Sequence, residues 1–249
     1  MLSLQVLGTF TFLLSSLAQW IDYPANGFAT MTHYDLPKDY IASCGCTEKS
    51  THYPTAALSQ MAFGSSAAYG PVCGRCFRLT LLNTFTSNPP FFPTESNSVI
   101  VKVTDKCPLS KSGWCNGTVY GNNRGGHQLN FDLAFPSSSI PSDFFPSNVS
   151  LYGFTDFGVW NISYESITCD DWAGASDEGA LGSSPGFGPE SVCCPANPTG
   201  SPNDTCPSYS DANGIAPDTT TNAAMSPTIS SLPLILAASI PLLVYLKSV

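Results

Sequence analysis

Val99-Ile100-Val101-Lys102-Val103-Thr104-Asp105-Lys106-Cys107-Pro108 and Asn130-Phe131-Asp132-Leu133-Ala134-Phe135 are the stretches whose reading decides the fold. Apolar residues alternate with polar ones in the first, so Val99, Val101 and Val103 share one strand face and Ile100, Lys102 and Thr104 the other. Both segments read as strand ends that deliver one carboxylate each. Two acids at different strand ends can share a cleft in which one keeps its proton while the other stays ionised.

The same alternation recurs on either side. Phe77, Leu79 and Leu81 alternate with Arg78 and Thr80, and Trp160, Ile162 and Tyr164 with Asn161, Ser163 and Glu165. These are half-buried strands, with Trp160 expected in the core. One short helix is expected from Thr55 to Phe63, with Ala57, Leu58, Met61 and Ala62 on one face and Gly64 placed to stop it. Thr84 to Asn97 and much of Asn116 to Gln128 read as long loops. The fold class is therefore mainly β.

Both ends of the chain read as processing signals. Val6 to Leu17 is a short apolar run, and Ser16 and Ala18 give a small-x-small cleavage pattern before Gln19, so residues 1–18 are expected to be a signal peptide rather than a buried helix. Leu232 to Leu246 is apolar but interrupted by Pro233 and Pro241. As a helix it would rise about 22 Å, against a hydrocarbon core of roughly 30 Å. Asn222, Ala223 and Ala224 followed by a polar spacer and this tail fit a glycolipid-anchor signal over 223–249, with Asn222 as the attachment residue. The alternative is a short membrane anchor. Either places the protein outside the cell, held at its surface or wall.

Between these ends, residues 19–206 can form one domain with a sizeable core, and 207–222 read as a Ser/Thr/Pro/Asp stalk. A net charge of -9 with no basic cluster excludes a nucleic-acid binder. Only 11% of residues are charged and 12% are aromatic, which suits a neutral ligand.

Ten cysteines in a secreted chain read as a disulfide framework: Cys44, Cys46, Cys73, Cys76, Cys107, Cys115, Cys169, Cys193, Cys194 and Cys206. The last three are expected to tie the segment past Trp172 back onto the domain. Cys73-Gly74-Arg75-Cys76 is half of a zinc or redox motif in form, but His33, His52 and His127 are scattered and no matching pair follows. No metal or organic cofactor is implied. Sequons begin at Asn116, Asn148, Asn161 and Asn203, in keeping with a secretory route.

Four motifs in order resemble glycoside hydrolase family 45, in its fungal, expansin-like branch: Ala57-Leu58-Ser59-Gln60-Met61-Ala62-Phe63-Gly64-Ser65, Cys73-Gly74-Arg75-Cys76-Phe77, Val101 to Pro108, and Phe131-Asp132-Leu133. The resemblance covers roughly Ala29 to Trp172. It implies a six-stranded double-psi β-barrel with an open groove, a monomer that hydrolyses β-1,4-glucans with inversion.

Inversion needs an acid for the leaving oxygen and a base about 6.5 to 9.5 Å away that activates water. The resemblance makes Asp132 the general acid, with Phe131, Leu133 and Phe135 expected to desolvate it, and Asp105 an orienting residue. The base is Asp35, directly after Thr32-His33-Tyr34, or Asn123, nine residues before Asp132. Ser110, Lys111 and Ser112 fill the stretch where the branch carries a base amide. Sugar rings stack on flat aromatics, so Tyr34, Trp114, Tyr120 and Tyr152 are candidate platforms. Thr32 and His127 complete the candidate substrate-binding set. Two classes follow: an endoglucanase, or a non-hydrolytic expansin-like module that binds or loosens wall glucan.

Overall fold

In the computed structural model, residues 20–65, 70–109, 113–177 and 180 are described. The expected signal peptide, stalk and anchor at Asn222, together with Cys193, Cys194, Cys206, Asn203 and Ser110 to Ser112, lie outside those residues.

The strands are β1 (Asn26–Tyr34), β2 (Thr55–Ser59), β3 (Cys76–Asn83), β4 (Ser98–Cys107), β5 (Asn130–Ala134) and β6 (Trp160–Ile167). They close into a barrel in the order β1-β5-β2-β4-β3-β6. Pairing is parallel between β1 and β5 and between β2 and β4, and antiparallel at the other junctions. This is the six-stranded double-psi β-barrel that the family resemblance implied. Closure leaves no strand edge unpaired within the ring.

Alternation puts one set of side chains inside. Met31, Leu58, Phe77, Leu79, Val101, Val103, Phe131, Leu133 and Ile162 fill a single core. Phe77 meets Phe131 edge-on at 5.2 Å, and Phe157 meets Trp160 edge-on at 5.7 Å. Trp160 is fully buried, as its place in the alternation requires.

The helix expected over Thr55 to Phe63 is instead two elements. Thr55–Ser59 forms β2, between β4 and β5, and only Gln60–Phe63 is helical (α2). A central strand covered on both faces needs no polar alternation, so its run of small and apolar residues mimics a helical stripe. Gly64 does stop α2, with φ +82°, and a Cβ there would lie 2.7 Å from Pro71. Two other four-residue helices, α1 (Glu48–Thr51) and α3 (Val149–Tyr152), lie in the connections.

Lys102 also departs from expectation, being fully buried although it lies on the outer face of β4. The segment after β6 covers that face. Lys102 Nζ sits 5.2 Å from the centre of a Trp172 ring and donates to the Ala180 carbonyl at 3.2 Å. Burial lowers its ammonium to a pKa of about 8. Trp172 Nε1 donates in turn to the Pro54 carbonyl at 2.8 Å.

Disulfides join Cys44 to Cys73, Cys76 to Cys169 and Cys107 to Cys115, and Cys46 is bridged as well. Cys73 and Cys76 enter different bridges, which removes both the redox and the zinc reading of that motif. Among the sequons, Asn116 and Asn148 are exposed, whereas Asn161 is half-buried within β6 with its amide directed at Asn83 Oδ1, 3.4 Å away.

The Cys76–Cys169 bridge spans 93 residues and pins the cover over Lys102. Replacing both cysteines by Ala is expected to lower unfolding free energy by about 2–5 kcal/mol in a urea titration.

Candidate active site

The site is built from strand register. Asp132 on β5 pairs with Thr32 on β1 and with Ala57 on β2, and Ala57 pairs with Asp105 on β4. The four residues form one row across four adjacent strands. Phe131 and Leu133 point into the core, so Asp132 points out of the barrel wall. On β4, Val101 and Val103 point inward, and simple alternation would send Asp105 inward too. A bulge prevents this. Ala56 pairs with Val103 and Ala57 with Asp105, so Thr104 is the extra residue and Asp105 emerges beside Asp132. The Thr104 carbonyl is taken by Cys44 N at 3.0 Å. Two strand spacings separate the acids, about 9.6 Å between backbones, with only the Ala57 methyl between them.

This row is the floor of a cleft of about 780 Å³. Cys107, Pro108, Trp114 and Cys115 form one wall, secured by the Cys107–Cys115 bridge. Asp35, Pro37, Tyr40 and Ser43 form the other, and His33 and Gly158 contribute further lining.

The two carboxylates are held differently. Asp132 Oδ1 accepts from Thr32 Oγ1 at 2.6 Å, while Oδ2 lies 3.8 Å from the bridged sulfur of Cys107. Asp105 Oδ1 accepts from Ser43 N at 2.9 Å, Ser43 Oγ at 2.6 Å and Lys106 N at 2.8 Å. Three donors on one oxygen fix the carboxylate in place. Asp105 thus anchors the loop that carries Asp35 and Tyr40.

Tyr34 stands in the field of both acids. Burial first, then the charges of Asp105 and Asp132 and the neighbouring Tyr40, push its phenol far above the ordinary range, so it stays a neutral donor. Its buried hydroxyl is directed at the Asp105 carboxylate, which adds to the rise. The Tyr40 phenol is raised as well, by burial and then by Asp105. Partial burial lowers the Lys106 ammonium, against the opposing pull of Asp105.

Of the residues singled out from the sequence, Thr32, Tyr34, Asp35, Asp105, Trp114 and Asp132 come together in the cleft. The others do not. Asn123 is buried behind it, its Nδ2 donating to Thr30 Oγ1 at 2.8 Å and to the Trp114 carbonyl at 2.9 Å. His127 lines a separate depression with Phe28 and Tyr164. Tyr120 is 75% exposed at a turn, and Tyr152 packs against Phe91 and Phe157. Phe131 and Leu133 lie on the opposite face of β5 from Asp132, so Ala57, Tyr34 and the Cys107–Cys115 bridge supply its apolar cover instead. Tyr40, Ser43, Lys106 and His33 escaped the sequence reading. His33 alone carried a signal, lying inside Thr32-His33-Tyr34; its Nε2 is 2.7 Å from Asp156 Oδ2, on the loop that brings Gly158 to the cleft.

A protein-family model described as EXPB1-like domain 1 matches residues 29–174, which run from within β1 through the Trp172 cover. The chain belongs to that family. Its expansin-like and glycoside hydrolase family 45 character agrees with the resemblance carried by the four motifs. Endoglucanase-5 of Hypocrea jecorina is 30% identical over 165 residues, 61% of this chain and 60% of its own length. The chain therefore spans about 60% of that relative. Among solved structures it is similar to the GH45 endoglucanase EG27II in complex with cellobiose, at 20% identity and TM-score 0.40, over 58% of this chain and 82% of that one. It is also similar to the β-1,4-D-endoglucanase Cel45A of the blue mussel Mytilus edulis, at 24% identity and TM-score 0.43, over 64% and 88% of the two chains.

Because the Tyr34 hydroxyl is a buried donor directed at Asp105, Tyr34→Phe is expected to lower stability by about 1–2 kcal/mol in a thermal melt.

Proposed function

We propose that this protein is an endo-β-1,4-glucanase that hydrolyses cellulose or a related β-glucan with inversion. The observation that carries the reading is the register row that sets Asp132 and Asp105 on one outer face with Ala57 between them, inside an open cleft. Asp132 is the general acid, protonating the glycosidic oxygen as the bond to the anomeric carbon breaks. Asp35 is the base, taking a proton from the water that attacks that carbon from the opposite face. It lines the cleft three residues beyond Thr32, about 10 Å along the strand direction from the row of Asp132. Asn123, with its amide committed behind the cleft, is not the base in this scheme. Asp105 orients the Asp35 loop through Ser43, and Trp114 and Tyr40 offer the sugar faces their rings.

A second reading is supported by the exposure of Asp35, which sits just past the end of β1. With no base held firmly opposite the acid, the same cleft would bind glucan without turnover, as an expansin-like module does. We also propose that the protein is secreted and retained at the cell surface by a glycolipid anchor at Asn222. Release by a phosphatidylinositol-specific phospholipase supports that proposal, and retention after treatment rejects it.

Reducing-end release from carboxymethylcellulose and soluble β-glucan separates the two readings. Asp132→Asn and Asp35→Asn are each expected to lower turnover by about 10² to 10⁴-fold while leaving glucan binding in place. If wild type releases no more ends than Asp132→Asn while both bind glucan, the non-hydrolytic reading stands.

A further inference from the structure

Beside the cleft, two loops bring apolar side chains to the surface that the scheme above does not use. In residues 84–97, between β3 and β4, Phe92 is 66% exposed. In residues 146–158, which include α3 and lead towards β6, Leu151 is 60% exposed, and Val149 and Phe154 only somewhat less. The two loops meet through their rings. Phe91 lies edge-on to Tyr152 at 6.0 Å and stacks on Phe157 at 5.3 Å, and Phe154 lies edge-on to Phe157 at 5.1 Å. Phe157 is buried against Trp160, so the patch stands on the core.

Hydrogen bonds brace the loops in this shape. Asn148 Oδ1 accepts from Leu151 N at 3.1 Å, Ser147 Oγ donates to the Phe154 carbonyl at 2.7 Å, and Gly158 N donates to Asp156 Oδ1 at 2.8 Å. Thr86 Oγ1 donates to the Phe157 carbonyl at 3.4 Å and ties one loop to the other. Apolar side chains held in water on a braced backbone gain nothing inside the fold, and a cluster of them marks contact with a partner. The patch runs into the cleft at two points. Gly158, four residues past Phe154 and so within about 14 Å of it, lines the cleft, and Asp156 is paired at 2.7 Å with His33, which lines it too. From the other loop, Phe85 meets Trp114 of the cleft wall edge-on at 5.7 Å.

We propose that Phe92, Val149, Leu151 and Phe154 form a shelf that lies against the face of an ordered, insoluble β-glucan, next to the cleft that takes a single chain. The inference rests on the reading of the cleft as a glucan site. Charge favours this occupant. The two loops carry no Lys or Arg, and of their two acids Asp156 is held by His33, which leaves Glu95. An uncharged partner meets no opposing charge there, whereas an anionic lipid surface would call for cations. The chemistry agrees. Ordered sugar rings present C–H faces edged by hydroxyls, and the shelf presents rings edged by the exposed Ser150 and Thr155. Side chains that project from short loops suit a flat face, while a single soluble chain is enclosed by the cleft.

The test is co-sedimentation with microcrystalline cellulose, for wild type and for Phe92→Ser/Leu151→Ser/Phe154→Ser, beside calorimetry with cellohexaose as the soluble chain. The triple variant is expected to lose about 10- to 100-fold in its partition onto the solid and to bind cellohexaose as wild type does. Phe28→Ser, which changes a 65% exposed ring in the depression with His127, is expected to keep the wild-type partition. A wild type that stays in solution, a triple variant that partitions like wild type, or an equal fall in Phe28→Ser overturns the proposal. Should the triple variant not fold, Phe92→Ser/Leu151→Ser serves, since it leaves Phe154 on Phe157, and an unchanged partition there overturns the proposal as well. Other occupants have their own signatures. Sedimentation with phosphatidylcholine vesicles that the triple variant lacks reports a bilayer, and a dimer in sedimentation velocity that it lacks reports a second copy. Partition gained only in Ser150→Ala, which removes the Asn148 sequon and keeps its cap, reports the protein's own glycan. Each of these three overturns the proposal. A wild type that binds neither cellohexaose nor the solid rejects the glucan reading of the cleft along with the shelf, whereas cellohexaose binding without partition onto the solid rejects the shelf alone.

Discussion

The register of β5 between β1 and β2 is the constraint on which both the core and the cleft depend. It sends Phe131 and Leu133 inward and presents Asn130 and Asp132 to Thr30 and Thr32 on the outside. A slip of one residue would drive Asp132 into an aromatic interior and expel Phe131. Burying a carboxylate without partners costs far more than any single strand hydrogen bond returns. The packing that makes the barrel stable therefore also holds the acid in place. Ring closure transmits the constraint around the wall, since β2 must meet β5 on one side and β4 on the other.

The bulge at Thr104 completes the site by breaking the rule that built the rest of β4. One extra residue turns Asp105 from the inner face to the outer, level with Asp132. The irregularity is held from outside: Cys44 N takes the displaced carbonyl, Ser43 binds the carboxylate, and the Cys44–Cys73 bridge ties the loop to the barrel. A second bridge, Cys107–Cys115, secures the opposite wall. The flanking connections are thus fastened on both sides of the paired acids. A cleft made this way can hold a neutral phenol, Tyr34, in the field of two carboxylates, because the apolar cover that raises its pKa also shields it from solvent.

Much of this was legible in the chain. Strands β3, β4 and β6 follow from alternation, and Trp160 falls in the core as its place in that pattern requires. Where the reading failed, the cause was a neighbour distant in sequence. Thr55 to Ser59 resembles a helical stripe because both its faces are covered. Lys102 resembles a surface lysine because Trp172, which covers it, arrives 70 positions later. Asn123 resembles a cleft residue by its distance from Asp132, yet its amide is consumed by the backbone of its own loop and by Thr30. Tyr40 and Ser43 sit in a loop with no periodicity to mark them, and only contact with Asp105 gives them a role.

By itself the sequence determined that the fold is mainly β, where β3, β4 and β6 lie, and which family the motifs resemble, because alternation and motif order are local properties that survive without coordinates. The tertiary structure decided which face each carboxylate takes and what it is bonded to. Asp105 needed the bulge to reach the cleft, Asp132 needed Thr32 a hundred residues away to fix one of its oxygens, and Asn123 was placed behind the wall instead of in it. These outcomes depend on pairing between segments far apart in the chain, and such pairing is settled only when the ring closes and every buried polar group must find a partner.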